Sequence, residues 1–261
     1  MAATMLGGGV TPMRGLIVGV ANDQSLAWGC AQALHRQGAG LALTYLNDKA
    51  HPHVAPLAEA VGAELLLPLD VTREEQMDAL FAAITREWGE LDFLLHSIAF
   101  APQADLAGRV VDSSAEGFAT AMDVSCHSLI RLARRAEPLM AKGGSILTMS
   151  FYGSEKVVPD YGIMGPAKAA LEASMRYLAA ELGSGGIRVN ALSTGPVKTR
   201  AASGLSHFDK LMERAATRAP LHQLVTIEQV GEMAAFLLSP RAEAITGQTI
   251  YVDAGYNTVA G

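Results

Sequence analysis

Residues 168–196, KAALEASMRYLAAELGSGGIRVNALSTGP, decide how the chain is built. An amphipathic helix over 167–182 ends in a glycine-rich turn, and a short strand follows at 188–193. The same alternation extends outward in both directions. Short apolar runs at 16–20, 41–45, 64–69, 91–97, 145–150 and 249–252 predict further strands. They are apolar on both faces, as strands of a parallel sheet covered by helices must be. Longer amphipathic stretches at 25–37, 73–88, 115–137 and 227–238 predict helices between them. Thr226, followed by Glu228 and Gln229, reads as a helix start. Strand–helix alternation with right-handed crossovers gives an α/β fold, a doubly wound parallel sheet of about seven strands. No repeat, low-complexity segment or linker interrupts it, so a single domain over 1–261 is expected. Residues 198–218 form a long excursion after the sixth strand, and long connections at strand C-termini usually cover binding sites.

The totals narrow the function. The chain has 261 residues, half of them hydrophobic, and a net charge of −6, which argues against a nucleic-acid-binding surface. Cys30 and Cys126 stand in unrelated contexts without metal-ligand spacing, and read as plain buried thiols in a reducing compartment. The start, MAATMLGGGVTPM, lacks a basic segment followed by an apolar core, and residues 1–12 read as a flexible extension. No apolar run approaches the roughly 20 residues of a membrane span. A cytoplasmic protein is the expectation.

Two features suggest a dinucleotide. After the first strand comes GVANDQSLAWGCA, Gly19 to Ala31. Gly19 would permit a tight turn, and the helix beginning near Ser25 would aim free N–H groups at a pyrophosphate. The familiar G-x-G-x-x-G is absent, so the segment by itself suits an ordinary strand–helix turn equally well. After the second strand, TYLNDKA offers no carboxylate at the strand's end for a ribose 2′-hydroxyl, which leaves NADH and NADPH both open. Asp70 and Val71, after the third strand, could flank an adenine, with Asp70 accepting from its amino group. The alternative for Asp70 is a helix N-cap.

Residues 150–168, SFYGSEKVVPDYGIMGPAK, hold two tyrosine–lysine pairs. Tyr152 and Lys156 make a literal Tyr-x-x-x-Lys, whereas Tyr161 and Lys168 stand seven apart, close to two helical turns. A helical lysine leans toward the N-terminus, which would bring Lys168 back toward Tyr161. Pro166 is comfortable only in a first helical turn, so Tyr161 is expected at or before the helix start, on a stiff approach. Spacing alone does not choose between the pairs.

The segment from Lys168 onward resembles the long helix and sixth strand of the short-chain dehydrogenase/reductase superfamily. There the active lysine opens the helix, a Leu-Ala-x-Glu stands near its end, and an Ile-Arg-Val-Asn strand follows. Lys168, Leu178, Glu181 and residues 187–190 fall in those places. The residue four before Lys168 is Met164 and the hydroxyl stands at Tyr161, a Tyr-x6-Lys variant. With GVANDQSLAWG (19–29), TYLNDK (44–49), HSIAFAP (96–102), YGIMGPAK (161–168), TGPVKTRAASGL (194–205) and GQTIYVDAGYN (247–257), it resembles the enoyl-[acyl-carrier-protein] reductases of bacterial type II fatty-acid synthesis. The match runs over about 240 residues.

The resemblance implies a Rossmann-like fold and reduction of a trans-2-enoyl thioester, carried by acyl carrier protein, with NADH. It makes Tyr161 and Lys168 the catalytic pair, Tyr161 as donor to the thioester oxygen and Lys168 as holder of the nicotinamide ribose. It makes Tyr152 and Lys156 a decoy. Cofactor contacts carry over to Gly19, Ser25, Leu26, Leu46, Asp70, Val71, Ser97, Ile98, Lys168, Val197 and Thr199, with Leu46 offering only apolar packing. Ala101, Met164 and Phe208 fall where the family lines its acyl pocket. Ser150 is expected to make a sheet-end hydrogen bond rather than act as a nucleophile. No metal is implied. The superfamily commonly forms homotetramers, and one is expected here by analogy. Lys198, Arg200, Lys210, Arg214 and Arg218 outnumber Asp209 and Glu213 in the excursion, which suits docking of an acidic carrier protein.

Three departures stand out. Phe151 occupies the place where the family often has a second tyrosine, with Tyr152 beside it; Ala99 replaces a usual glycine; Leu46 replaces a common glutamine. Two rival readings are another short-chain reductase acting on a ketone or ketoacyl thioester, and a catalytically silent NAD-binding sensor.

Overall fold

A computed structural model of the chain describes residues 12–106, 108–199 and 208–259, with Phe208 described by its backbone alone. The expected extension at 1–12 lies almost wholly outside the described residues, as do Arg200 and 201–207 of the excursion.

Seven strands form one sheet: β1 (Arg14–Val18), β2 (Gly40–Tyr45), β3 (Leu65–Pro68), β4 (Phe93–His96), β5 (Gly144–Phe151), β6 (Ile187–Thr194) and β7 (Thr249–Val252). Their order is β3-β2-β1-β4-β5-β6-β7, every neighbouring pair being parallel. The chain therefore winds one way from β1 to β3, then crosses back and winds the other way from β4 to β7. The reversal opens a crevice at the C-terminal ends of β1 and β4, where doubly wound sheets bind their ligands.

Helices cover both faces: α1 (Leu26–Arg36), α2 (His51–Ala60), α3 (Glu74–Glu87), α4 (Gln103–Leu106), α5 (Ala115–Met122), α6 (Ser128–Ala136), α7 (Met164–Leu182), α8 (Phe208–Arg218) and α9 (Ile227–Leu238). The strand period of two sorts the core. Ile17, Leu41, Leu43, Leu95, Leu147 and Leu192 pack with α1, α2 and α9. Leu16, Val18, Ala42, Leu94, Ile146 and Ala191 face the opposite way, onto α3, α6 and α7.

The layer of α1 and α9 depends on two glycines. A Cβ on Gly231 would lie 2.3 Å from the Gly29 carbonyl oxygen, and one on Gly29 would lie 2.1 Å from the Ile227 carbonyl oxygen. Both obstacles are backbone, so neither can swing aside. Gly231→Ala is expected to cost about 1–3 kcal/mol through overpacking, read as a lower urea midpoint with unchanged slope. An unchanged midpoint would show that the two helices separate freely.

Some boundaries differ from expectation for physical reasons. β1 stops at Val18 rather than at residue 20 because Gly19 leaves the ladder at φ 110°. Helix α2 has no counterpart among the expected elements, its prolines having masked it; Pro52 sits harmlessly in the first turn and Pro56 inside. The expected helix at 115–137 is broken by a π-helical turn at Asp123–His127, whose extra residue turns Val124, Ser125 and Cys126 inward together. Ser125 Oγ both accepts from the Phe100 amide and donates to the Phe100 carbonyl, at 2.9 Å each, so this turn fixes the loop after β4. The helix start expected at Thr226 is a reciprocal cap: Thr226 Oγ1 accepts from the Gln229 amide, and Gln229 Oε1 from the Thr226 amide. Cys30 and Cys126 are buried and unpaired with each other. No described helix is long and apolar enough to cross a membrane.

Candidate active site

A cleft of about 380 Å³ opens at the C-terminal ends of β1, β4, β5 and β6. Gly19, Ser25 and Leu26 enter it from the β1–α1 turn, and Ser97, Ile98 and Ala101 from the loop after β4. Tyr161, Met164 and Lys168 form its wall at the start of α7, and Val197 and Thr199 close it from the segment after β6. Eleven positions singled out from sequence thus converge on one space.

The β1–α1 end suits an anion. At Gly19 the space for a side chain is taken by backbone, since a Cβ would lie 2.1 Å from the Ser97 carbonyl oxygen. Ser25 Oγ donates to the Asn22 carbonyl at 2.7 Å, which closes the turn instead of capping the helix. The first helical amides, of Leu26 and Ala27, consequently have no acceptor among the described residues. Free amides at a helix N-terminus favour phosphate.

Leu46, Asp70 and Val71 lie outside the cleft's lining, although they follow β2 and β3 along the same sheet edge. Leu46 is 56% exposed and Val71 is buried. Asp70 is not a helix cap, because α3 begins at Glu74 with Arg73 at the cap position. Its Oδ1 accepts instead from the Thr72 amide and hydroxyl, at 2.9 and 2.7 Å.

Tyr161 stands just before α7, between Asp160 at φ 62° and Gly162 at φ 53°. Two left-handed residues make this approach stiff, and Pro166 fits in the first turn of the helix. The Tyr161 ring packs edge-on against Phe151, with centroids 4.9 Å apart. Burial, and then the charge of Glu172, pushes its hydroxyl above the ordinary phenol range, so it is a proton donor at neutral pH.

Lys168 is buried, and its Nζ donates to the Met149 carbonyl at 2.6 Å. Burial lowers its pKa from 10.5 to about 8, and Glu172 opposes that fall. Glu172, one turn further along α7, is also buried. Its Oε1 accepts from Ser150 Oγ and, at 2.7 Å, from Ser154 Oγ. Ser150 therefore makes a sheet-end hydrogen bond. His96, behind the cleft, bonds Thr148 and Ser128 at 2.8 Å each, and burial lowers its pKa to about 3. It is a neutral strut.

The pair Tyr152 and Lys156 turns elsewhere. Tyr152 hydrogen-bonds Tyr256 through its side chain, and Lys156 Nζ donates to the Asn257 carbonyl at 3.0 Å. Neither lines the cleft, whereas Phe151 does. Phe208 begins α8, but its side chain lies outside the described part. Leu106, Met149, Phe151 and Leu211 add apolar surface to the cleft. Leu106 and Leu211 come from short or charged helices without any motif to mark them. Glu172 carries a signal in hindsight, an ionisable residue at i+4 on the buried face of the helix that bears Lys168.

The family model described as enoyl-(acyl carrier protein) reductase matches residues 19–257. The chain belongs to the enoyl-(acyl carrier protein) reductase family. Within this family, a curated relative from Rhizobium meliloti (strain 1021), "Enoyl-[acyl-carrier-protein] reductase [NADH] 1", is 49% identical over 94% of this chain and 90% of its own length. A relative from Nostoc sp. with the corresponding NADH-dependent name is 48% identical over 95% of this chain and 97% of its own. Among solved structures, the Anaplasma phagocytophilum reductase in complex with NAD superposes with a TM-score of 0.92 at 49% identity, covering 96% of this chain and 98% of that one. The Bacillus cereus reductase, solved with NADP+ and an indole naphthyridinone, gives 0.93 at 43% identity, covering 95% and 98%.

Proposed function

We propose that the chain reduces the trans-2 double bond of enoyl thioesters on acyl carrier protein with NADH, the last step of the fatty-acid elongation cycle, and that Tyr161 and Lys168 carry the reaction. The observation that supports the reading is a buried, protonated tyrosine hydroxyl sharing an apolar cleft with a buried lysine. The cofactor fits the residues present: the Gly19 cradle and the free amides of Leu26 and Ala27 suit a pyrophosphate, and Lys168 suits ribose hydroxyls. Ser97, Ile98, Val197 and Thr199 would hold the nicotinamide end, and Asp70, Val71 and Leu46 the adenine end. The nicotinamide supplies a hydride to the β-carbon.

As the double bond accepts that hydride, negative charge collects on the thioester oxygen. Tyr161 donates a hydrogen bond there, where charge develops in a water-poor site and a donor is worth most. Lys168 orients the ribose and adds a positive charge nearby. Ala101 and Met164, with Leu106, Phe151 and Leu211, keep water away and accept the acyl chain, and the family resemblance assigns Phe208 to the same role. The sole tyrosine in this role is Tyr161, since Phe151 has no hydroxyl and Tyr152 is engaged by Tyr256. A cytoplasmic homotetramer belongs to the same reading; Tyr177, exposed on α7, is consistent with contacts along that helix.

The carrier protein is acidic, and α8 offers it Lys210, Arg214 and Arg218 on its exposed side beside exposed Lys198. Purified protein should oxidise NADH with enoyl thioesters and leave a β-ketoacyl thioester untouched; ketoacyl turnover would move it to another short-chain reductase activity. Charge reversal at Arg214 and Arg218 should raise the apparent KM for carrier-bound substrate while sparing a coenzyme A thioester. Equal effects on both substrates would defeat the docking role.

A further inference from the structure

The buried face of α7 carries a charged residue that the proposed chemistry does not use. Lys168 and Glu172 are one helical turn apart and both are within 5% of full burial. Each is tied to the same end of β5, Lys168 to the Met149 carbonyl and Glu172 to the hydroxyl of the next residue, Ser150. Ser154, in the turn that follows β5, donates to the same Glu172 oxygen. The sheet beneath is polar here as well. Ser193 pairs in register with Ser150 and so shares its face, and its buried Oγ has no partner among the described residues.

A buried carboxylate is costly unless hydrogen bonds hold it. Two serine donors do so for Glu172. They also prevent it from collapsing onto Lys168 as a direct ion pair, and no such pair occurs between them within 4.0 Å among the described residues. We infer that Glu172 is a positioning residue for the proposed reaction: clamped by Ser150 and Ser154, it keeps the Lys168 ammonium charged and aimed into the cleft without occupying its hydrogen bonds. The inference rests on the assignment of Lys168 to the cofactor ribose.

Among the other groups around the pair, Cys126 adds to this effect by less than Glu172 does. Toward Lys168, Cys126 comes from the π-helical turn, Tyr161 from the approach to α7, and neutral His96 from β4. Tyr251 on β7 faces Glu172 and is itself hydrogen-bonded to Glu155. Tyr161 and Tyr251 are both protonated at neutral pH. Glu172 is thus the neighbour that most strongly opposes the cost of burying Lys168, ahead of Cys126.

The test is NADH affinity of the full chain, measured by fluorescence titration between pH 6 and 9.5, for wild type, Glu172→Gln and Glu172→Asp. A nearby opposite charge raises a lysine pKa by about one unit or more. Glu172→Gln should therefore move the pH at which affinity is lost downward by about one unit. Its affinity should fall several-fold at pH 8 yet match wild type at pH 6, and Glu172→Asp should restore most of the wild-type profile. A purely structural role would instead lower thermal stability and leave the profile in place, which would overturn the inference. If Glu172→Gln does not fold, Glu172→Met removes the charge at similar volume and is read in the same way. Enoyl turnover by wild type is assayed separately. Its absence, with the pH-dependent NADH binding intact, would remove the proposed reaction but not the role of Glu172.

Discussion

Tyr161→Phe is expected to lower kcat with an enoyl thioester by about 10²–10³, the loss typical of a single donor to a developing oxyanion, while NADH affinity changes little. The variant keeps the ring that packs on Phe151 and removes only a hydroxyl that has no partner among the described residues. No desolvated acceptor is left behind in the free protein, so stability should hold. Phe151 and the engaged Tyr152 offer no second phenol to the cleft, so no other tyrosine among the described residues shares the task. Stopped-flow loss of NADH absorbance under single turnover separates this step from product release. A rate within a few-fold of wild type would place the donor elsewhere.

Lys168→Met should weaken NADH binding by about 10–100-fold, the scale of losing charge-assisted hydrogen bonds, and reduce kcat as well. The pH dependence gives a second handle. The ammonium is present below its folded pKa of about 8 and is lost above it, so wild-type affinity should decline as pH rises through 8. Stability runs the other way. Between pH 8 and 10.5 the unfolded chain holds a proton on this lysine that the folded chain has released, so stability gains with pH in that window. Compared with Lys168→Met, which has no titrating group at that position, wild type should gain in urea midpoint from pH 8 to 10.5 while it loses cofactor. A pH-independent affinity in wild type would mean that Lys168 acts through shape alone.

The sheet is legible in the sequence because parallel strands covered on both faces are short apolar runs, and such runs stand out at 41–45, 145–150 and 188–193. Less legible are elements that depend on backbone detail. The π-helical turn at Asp123–His127 leaves no mark in apolar periodicity, and Pro52 and Pro56 hide α2. The convergence of Gly19, Ser25, Ser97, Tyr161 and Lys168 on one cleft follows from where strands end in a doubly wound sheet. What the sequence concealed was the fate of hydrogen-bonding groups. Asp70 turns on Thr72, Ser25 closes its own loop, and Glu172 takes two serines, and none of these partnerships follows from spacing. The pair Tyr152 and Lys156 makes the same point, since a motif-like spacing in an irregular segment says nothing about where its side chains meet.

The tether from that segment to Tyr256 and Asn257 bears on how the protein is made. The loop that leads to Tyr161 borrows partners about a hundred positions downstream, beyond β7. During translation, β1 to β6 and the whole of α7 emerge before those partners exist. A nascent chain can therefore assemble most of the sheet early, while the wall that carries Tyr161 waits for the far end of the polypeptide. Ribosome-bound chains that stop short of residue 256 should bind NADH loosely, if at all, and acquire the finished cleft only on completion.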